Sequence, residues 1–284
     1  MPEQHSSQAR ADFSRARRKA FFKQVLSVIS GQPANTLLSY DEIKEKLHIG
    51  GPIYRGIKTI RVDQIAGSLN RYHEFDRAFL PKEDQLANRW QSVDRAFYQE
   101  VNLPPVVLYK VGQVYFVVDG HHRVSVAREQ GQEFIEADVR ECSTRVNITA
   151  DIQPEDLEIL GDKVHFLERT KLDELIPQAN IKLTIPDGFE RMIEHIAVHR
   201  YFMGIDLKRD IEEEEAVTHW YETVFVPIVE VIRESSILKD FPGKTEGDLY
   251  LWTLDHQRYL SSEEGQPLQP PDQAARQFLE EKGE

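Results

Sequence analysis

Two short apolar runs near the middle of the chain constrain its fold more than any other feature. The runs VVLYK and VYFVVD flank the connection Val111-Gly112-Gln113, and the second run leads directly into Asp-Gly-His-His-Arg. β-Branched and aromatic residues on both sides of a short connection that contains glycine predict a β-hairpin. Because the apolar stretch from Val124 to Ala127 follows at once, the chain is expected to turn directly from a strand into a helix.

The flanking segments extend the hairpin into an α/β unit. Residues Ile57 to Ile65 and Phe134 to Glu141 are rich in β-branched residues or alternate in polarity, which predicts two further strands. From Pro81 a helix is predicted, with an apolar stripe at steps of three and four; the stripe comprises Leu86, Trp90, Val93 and Phe97. The predicted order is strand, helix, hairpin, helix, strand.

The two ends of the chain are predicted to be helical. Residues 10–29 have the spacing of a basic amphipathic helix, and Ser39 to Glu42 has the form of a capping box. Beyond Thr149, further helices are predicted to begin near Asp187, the run Glu212–Glu215 and Thr245, with Pro227 ending or kinking the second.

The predicted fold class is therefore α/β (α+β), with four segments. These are N-terminal helices in residues 1–50, an α/β domain in residues 51–148, a mainly helical domain in residues 149–260, and a flexible tail in residues 261–284 that ends in a short helix.

Charge and composition limit the classes of function. The net charge is −13, and it is uneven: residues 1–30 carry about +4 and residues 150–284 about −16. An acidic protein is a poor general binder of nucleic acid, so any such contact is expected from the N-terminal part. No stretch reaches the roughly 18 apolar residues of a membrane span, and the single cysteine, Cys142, fits a reducing compartment. A cytoplasmic location without membrane contact is the expectation.

The turn after the second hairpin strand is the strongest candidate for a functional site. The first backbone N–H groups of a helix lack partners within it, and the helix dipole adds positive potential there, so phosphate binds well. Gly120 allows close approach of the backbone, Arg123 offers a fork of donors, and His121 and His122 add further donors. Asp119 would ligate a metal or orient one of these groups. An ordinary solvated first turn would show the same spacing.

Two motifs in this region resemble one known superfamily. The segment VYFVVDGHHRVSVAREQG looks like the phosphate-binding motif of the ParB/sulfiredoxin superfamily, and IRVDQIAGSLNRYHEFD looks like the first conserved box of the same domain. The resemblance covers residues 60–141 and places Arg71 beside the nucleotide. The Asp-Gly-His-His-Arg turn is nearest to the free-serine kinase branch. The helical half is also similar, in HIAVHRYF and HWYETVFVPI, to a bacterial helical domain without an assigned function.

The branches of the superfamily imply different chemistry. Sulfiredoxins carry a catalytic cysteine within the turn, which this turn lacks, and partitioning proteins carry a helix-turn-helix that the acidic second half does not show. The kinase-like branch implies a general base after the first box, a role that Glu74 or Asp76 would fill, with Asp119 positioning Mg²⁺. Equally, Glu74 and Asp76 could be loop acids paired with Arg71 or Arg77.

The expected ligand is a nucleotide (ATP, ADP or CTP) with Mg²⁺, together with a small-molecule acceptor if the protein transfers a phosphoryl group. The alternative is a non-catalytic regulatory or DNA-associated module that nucleotide switches. A separate hypothesis concerns His195 and His199, which lie four residues apart on a predicted helix and could bind a metal with Glu190 or Glu194, or could be ordinary helix-surface histidines.

Overall fold

The predicted hairpin lies at the centre of a mixed sheet. In this computed structural model, which describes residues 2–30, 36–153, 156–263 and 269–282, the hairpin strands are β4 (Val106–Val111) and β5 (Val114–Asp119). The other strands are β1 (Leu38–Ser39), β2 (Pro52–Arg61), β3 (Ile65–Ser68) and β6 (Phe134–Cys142). The strand order is β1-β3-β5-β4-β6-β2, with parallel pairing of β1 to β3, β3 to β5 and β4 to β6. The predicted α/β class is confirmed.

Four helices accompany this sheet within the described part of residues 1–153. They are α1 (Pro2–Ser30), α2 (Tyr40–Lys46), α3 (Ala87–Tyr98) and α4 (His121–Glu129). Helix α3 packs against α1 and α4. The fully buried Trp90 joins these layers, because its ring meets Phe13 edge to face and its Nε1–H donates to Ser125 Oγ at 2.8 Å. As predicted, the Ser39 side chain caps α2 by accepting the N–H of Glu42.

The strand predicted over Ile57 to Ile65 differs in its limits. Strand β2 begins at Pro52, a short 3₁₀ turn follows it at Val62–Gln64, and Ile65 opens β3. The extra residues are strand because they pair antiparallel with β6. Between Tyr54 and Ile57 the pairing shifts, and Gly56 there has φ +86°. β2 is one of the two edge strands of the sheet, so this bulge lies on an edge.

The helix predicted from Pro81 starts later than expected. Pro81 instead forms an isolated antiparallel bridge with Phe75, a 3₁₀ turn covers Asp84–Leu86, and α3 follows at Ala87. Pairing of Pro81 with the preceding loop holds the chain extended, and this tertiary contact overrides the local helical signal. The apolar stripe still faces the core, with Leu86 and Trp90 buried.

The second half of the chain is helical, as predicted. It contains α5 (Asp156–Thr170), α6 (Leu172–Leu175), α7 (Gly188–Leu207), α8 (Glu213–Trp220), α9 (Val226–Ser235), α10 (Glu246–Glu263) and α11 (Pro271–Lys282). Thr245 and Asp248 form the predicted cap of α10: the N–H of Thr245 donates to the Asp248 carboxylate, and the N–H of Asp248 donates to Thr245 Oγ1.

Two details of this half differ from the prediction. Of the two outcomes predicted for Pro227, it does not end its helix, because a π-helical turn at Tyr221–Phe225 carries the chain into α9 and places Pro227 in its first turn. Asp187 precedes α7 in a left-handed conformation, φ +57°, and its side chain makes no capping bond.

The chain divides into two compact units, Met1–Leu157 and Glu158–Glu284. The division into four segments that the sequence suggests stays a prediction. Among the helices that the structure describes, none has the length and apolar content needed to cross a bilayer.

Candidate functional site

The start of helix α4 lies where two parallel strands end. Ser68, the last residue of β3, is paired with Val117 of β5, and the N–H of Leu69 donates to the Val117 carbonyl at 2.9 Å. β5 ends two residues beyond Val117, at Asp119, and α4 begins at His121. The carboxyl ends of parallel strands are the usual place for ligands in open α/β sheets.

Gly120 makes the tight entry into α4 possible. Its φ is +100°, and a Cβ atom added there would lie 2.6 Å from Val106 Cγ1, so a side chain fits neither the backbone conformation nor the space. The first helical hydrogen bond runs from the N–H of Val124 to the Gly120 carbonyl. The N–H groups of the preceding three helical residues therefore have no acceptor within the helix, and they form the positive end of its dipole.

His121 is fixed by the end of β3. Its Nε2 lies 2.7 Å from Ser68 Oγ, and the backbone N–H of Arg71 donates to the same hydroxyl at 3.2 Å. Burial, and secondarily the charge of Arg71, lower the pKa of His121 to about 4. His121 is therefore neutral at pH 7 and acts by hydrogen bonding.

His122 is buried without a complete set of partners. Only 8% of the residue is exposed, and its Nδ1 has no hydrogen-bond partner among the described residues. Its ring packs edge to face against Phe75. Burial, with the positive charges of Arg71 and Arg89, lowers the pKa of His122 to about 4. A buried polar atom left unpaired costs about 1–3 kcal/mol, which marks this position as one that packing alone does not explain.

Arg71 lies beside both histidines and is held by Glu74. Two hydrogen bonds join the guanidinium to the carboxylate, one of them from Nε to Oε1 at 2.9 Å. Both side chains are partly exposed, so the pair can exchange with solvent or ligand. The loop acid Glu74 thus has the ion-pair partner that a purely structural role would give it.

Arg123 points to another side of the α4 terminus. Its guanidinium donates to the carbonyl oxygens of Pro104 and Pro105, the latter at 2.9 Å, and to Asp119 Oδ2 at 2.6 Å. The predicted phosphate-binding residues thus form two groups: Arg71, His121 and His122 on one side, and Arg123 with Asp119 on the other. The Asp119 side chain is 73% exposed.

A cavity of about 720 Å³ adjoins Arg123. Its walls come from the end of α3, the loop before β4, one side of α4 and the start of β6. Most of the lining is apolar, including Phe97, Leu103, Pro104, Val126 and Ile135. The aromatic and aliphatic walls suit a planar organic group. Glu100 and Glu136 line the same cavity against the single guanidinium of Arg123, so its charge does not favour an anion inside it.

Asp76 is committed to the local structure. It is 4% exposed, and its Oδ1 accepts the N–H groups of Ala78 and Leu80 at 2.9 and 2.8 Å. A carboxylate that caps the backbone of its own loop in this way stabilises the turn.

No group of three or more metal-ligating side chains occurs in the described part of the chain. His195 and His199 do not share a partner: His195 Nδ1 lies 3.2 Å from the Tyr250 hydroxyl, whereas His199 Nε2 lies 2.7 Å from Nδ1 of His219 on the neighbouring helix α8. Mg²⁺ could reach Asp119 only together with a bound phosphate, because a single exposed carboxylate is an incomplete site.

Two residues of this site lay outside the sequence prediction. Ser68 was hidden as the final residue of a four-residue strand, and only the parallel pairing of β3 with β5 brings it to His121. Arg89, whose charge acts on His122, lies on the polar side of the α3 stripe and belongs to no motif.

Comparison with known proteins adds little to this geometry. No family model and no curated protein matches the chain. A solved structure of a Pnob8-like ParB-N domain matches with 10% sequence identity and a TM-score of 0.21, over 82% of this chain and 98% of that one. Similarity at that level does not assign a fold or a function, so the likeness to the ParB/sulfiredoxin superfamily still depends on the two sequence motifs.

Proposed function

We propose that the first unit binds the phosphate groups of a nucleotide at the start of α4, in the manner of a ParB/sulfiredoxin-like domain. The observation that carries the proposal is the unpartnered, buried Nδ1 of His122 beside free helical N–H groups and the guanidinium of Arg71. A phosphate oxygen at this position would accept from the helix terminus and from Arg71. If Nδ1 carries the proton of neutral His122, it would donate there as well.

The rest of the nucleotide is assigned to the cavity beside Arg123. Its volume of about 720 Å³ and apolar walls suit a base, and Arg123, which lines the cavity and pairs with Asp119, belongs to the first turn of α4. Mg²⁺ would enter bound to the phosphates and contact Asp119, in line with the preference of Mg²⁺ for one or two carboxylates plus substrate oxygens.

Binding has more support than phosphoryl transfer. Glu74 is paired with Arg71, and Asp76 caps its own loop, so neither carboxylate is poised as a general base. We infer that Glu74 instead holds Arg71 ready for phosphate. Glu74→Gln should then tighten nucleotide binding several-fold, because Arg71 no longer has to leave a carboxylate. If Glu74 is a catalytic base, the same change would abolish turnover and leave affinity unaltered.

The direct test is a thermal-shift panel of ATP, ADP, CTP and GTP with Mg²⁺ on the full chain. A ligand at about 100 times its Kd adds roughly 2.7 kcal/mol to the free energy of unfolding. Arg71→Ala and Arg123→Ala should each reduce the shift. Arg61→Ala is the matched control, because Arg61 forms a similar two-bond pair with Asp63 on the surface, near the C-terminal end of α4 and not at its start. The proposal fails if no nucleotide raises the melting temperature.

A second candidate is a nucleotide-switched, DNA-associated module without catalysis. It is favoured by the exposed cations Arg10, Arg18 and Lys23 on α1, none of which has an ion-pair partner among the described residues. Binding to duplex DNA that weakens steeply with salt and vanishes when residues 1–30 are removed would support it. If DNA does not bind at low salt with or without nucleotide, this candidate is excluded.

A further inference from the structure

Helix α7 exposes an apolar stripe that the core does not use. Val198, Tyr201, Phe202 and Ile205 are exposed by 56%, 67%, 55% and 53%. The opposite side of the same helix is buried through Phe189, Met192 and Ile196. α7 therefore has one apolar side that packs within its own unit and a second that faces outward.

The exposed stripe has the spacing of a helix–helix seam. Glu194, Val198, Tyr201 and Ile205 follow one another on α7 at steps of four, three and four residues, and Lys208, the residue just after the helix, lies three residues further on. This is the heptad spacing that keeps one line of side chains facing a partner helix. From Glu194 to Lys208 the line is about 21 Å long.

The two ends of the stripe carry opposite charges. Glu194 and Lys208 are exposed, and neither has an ion-pair partner among the residues that the structure describes. Tyr201 lies midway between them, seven residues from each. If a second α7 packs antiparallel about Tyr201, Glu194 of each copy meets Lys208 of the other. Tyr201 then faces its own counterpart, and Val198 of each copy lies near Ile205 of the other.

A groove beside the stripe offers room for the rings of such a partner. It encloses about 1010 Å³ and is lined by Tyr201 and Ile205 of the stripe, with Ile196, Arg200 and Ile211. Side chains that flank a helix seam need pockets in the facing surface.

We propose that this stripe is an interface between two copies of the chain, which pair through antiparallel α7 helices related by a two-fold axis through Tyr201. The interface is self-complementary in charge, as two-fold contacts must be. A single helix stripe about 21 Å long is a small contact, so the dimer should be weak, with dissociation on the order of micromolar concentrations. This proposal is independent of nucleotide binding.

The test is analytical ultracentrifugation of the full chain over a range of concentrations. The wild type should show a monomer–dimer equilibrium. Tyr201→Glu should raise the dissociation constant by at least about tenfold, because it places two carboxylates against each other on the axis. Tyr259→Glu is the matched control, since Tyr259 is an exposed tyrosine of α10, 57% accessible and outside the stripe, and it should leave the equilibrium unchanged.

A charge swap distinguishes this pairing from any other. Glu194→Lys and Lys208→Glu should each weaken the dimer, whereas the double variant should restore it, because the antiparallel partners again have opposite signs. Circular dichroism melting of each variant confirms that the fold is intact. A chain that stays monomeric at every concentration, as expected if the stripe serves a different protein, overturns the proposal. A dimer that is unaffected by Tyr201→Glu, or a double variant no better than the singles, does so as well.

Discussion

His122 combines burial, a lowered pKa and an unpaired nitrogen in one side chain. An apolar residue of similar volume would remove the cost of the orphan Nδ1. His122→Leu should therefore raise the free energy of unfolding of the ligand-free protein by about 1 kcal/mol. At the same time it should reduce or remove the thermal shift with nucleotide.

Chemical denaturation and thermal shift on the same preparations check this prediction. The opposite signs of the two effects are informative. If His122 only filled the core, its replacement by leucine would lower the free energy of unfolding and leave the response to nucleotide unaltered. Val124→Ala, at the next buried position of α4, is the control: it should destabilise the fold by about 1 kcal/mol or more and preserve the nucleotide shift.

Three histidines with lowered pKa values predict that the fold loses stability in acid. Burial lowers the pKa of His121, His122 and His195 from 6.5 to about 4, so the folded state binds fewer protons than the unfolded state between these values. Their contribution is fully present above pH 6.5 and is lost as the pH falls towards 4. Urea denaturation at half-unit steps should show stability falling through this window, and less steeply in His195→Phe. A flat profile would contradict the burial of these rings.

At the residue scale, the sequence located the turn correctly but did not predict its hydrogen bonds and ion pairs. The role of Gly120 could be predicted, because a direct turn from a strand into a helix favours a residue without a Cβ atom. The structure leaves no space for one there. The bond from His121 to Ser68 could not, because it joins residues 53 positions apart through a parallel strand pair. Likewise, the prediction left Glu74 either as a base or as a partner of Arg71, and only the side-chain geometry shows the pair.

At the scale of elements, α1 is attached through a buried cluster of carboxylates. Asp12 of α1 accepts from the Tyr98 hydroxyl of α3 at 2.7 Å, and Gln130 after α4 donates to Asp94 at 2.8 Å. Asp94 is fully buried, and its Oδ2 has no hydrogen-bond partner among the described residues. Burial, with the nearby charges of Asp12 and Glu129, raises the pKa of Asp94 to about 6.

The sign of this shift predicts a stabilising substitution. A carboxyl group with a raised pKa contributes stability below its unfolded value of 3.8, and that contribution is lost as the pH rises through about 6. Asp94→Asn should therefore raise the free energy of unfolding at pH 8 by about 1–2 kcal/mol and have a smaller effect at pH 4.5. Asp63→Asn, at an exposed acid paired with Arg61, should show no such gain. Equal effects at both pH values would contradict the prediction.

Sequence periodicity found most elements and misplaced several boundaries. The hairpin, α4 and β6 were predictable because local pattern and burial agree there. The start of β2 at Pro52 depends on pairing with β6, and the continuation of the helix past Pro227 depends on a π-helical turn that no composition signal marks. A contact distant in sequence decides the first case, and a local change of helical hydrogen bonding decides the second.

At the scale of the whole molecule, the two compact units predict two separate unfolding transitions on heating. Each unit has its own buried core, with Leu108 fully buried in the first and Ile228 in the second. In differential scanning calorimetry, Leu108→Ala should lower one transition and Ile228→Ala another, each substitution costing about 2–5 kcal/mol. Nucleotide should raise only the transition that Leu108→Ala lowers. A shift of the other transition would place the ligand in the helical unit.

The bulge at Gly56 has a consequence for how the protein behaves at high concentration. Strand β2 has ten residues and one free edge, so strands of other molecules could pair with it. The exposed apolar side chains of Ile53, Tyr54 and Ile57 would favour such pairing. The two-against-one register at Gly56 breaks the regular row of donors and acceptors halfway along the edge. The irregularity therefore disfavours the addition of further strands at this edge, and deletion of residue 56 is expected to make such addition easier.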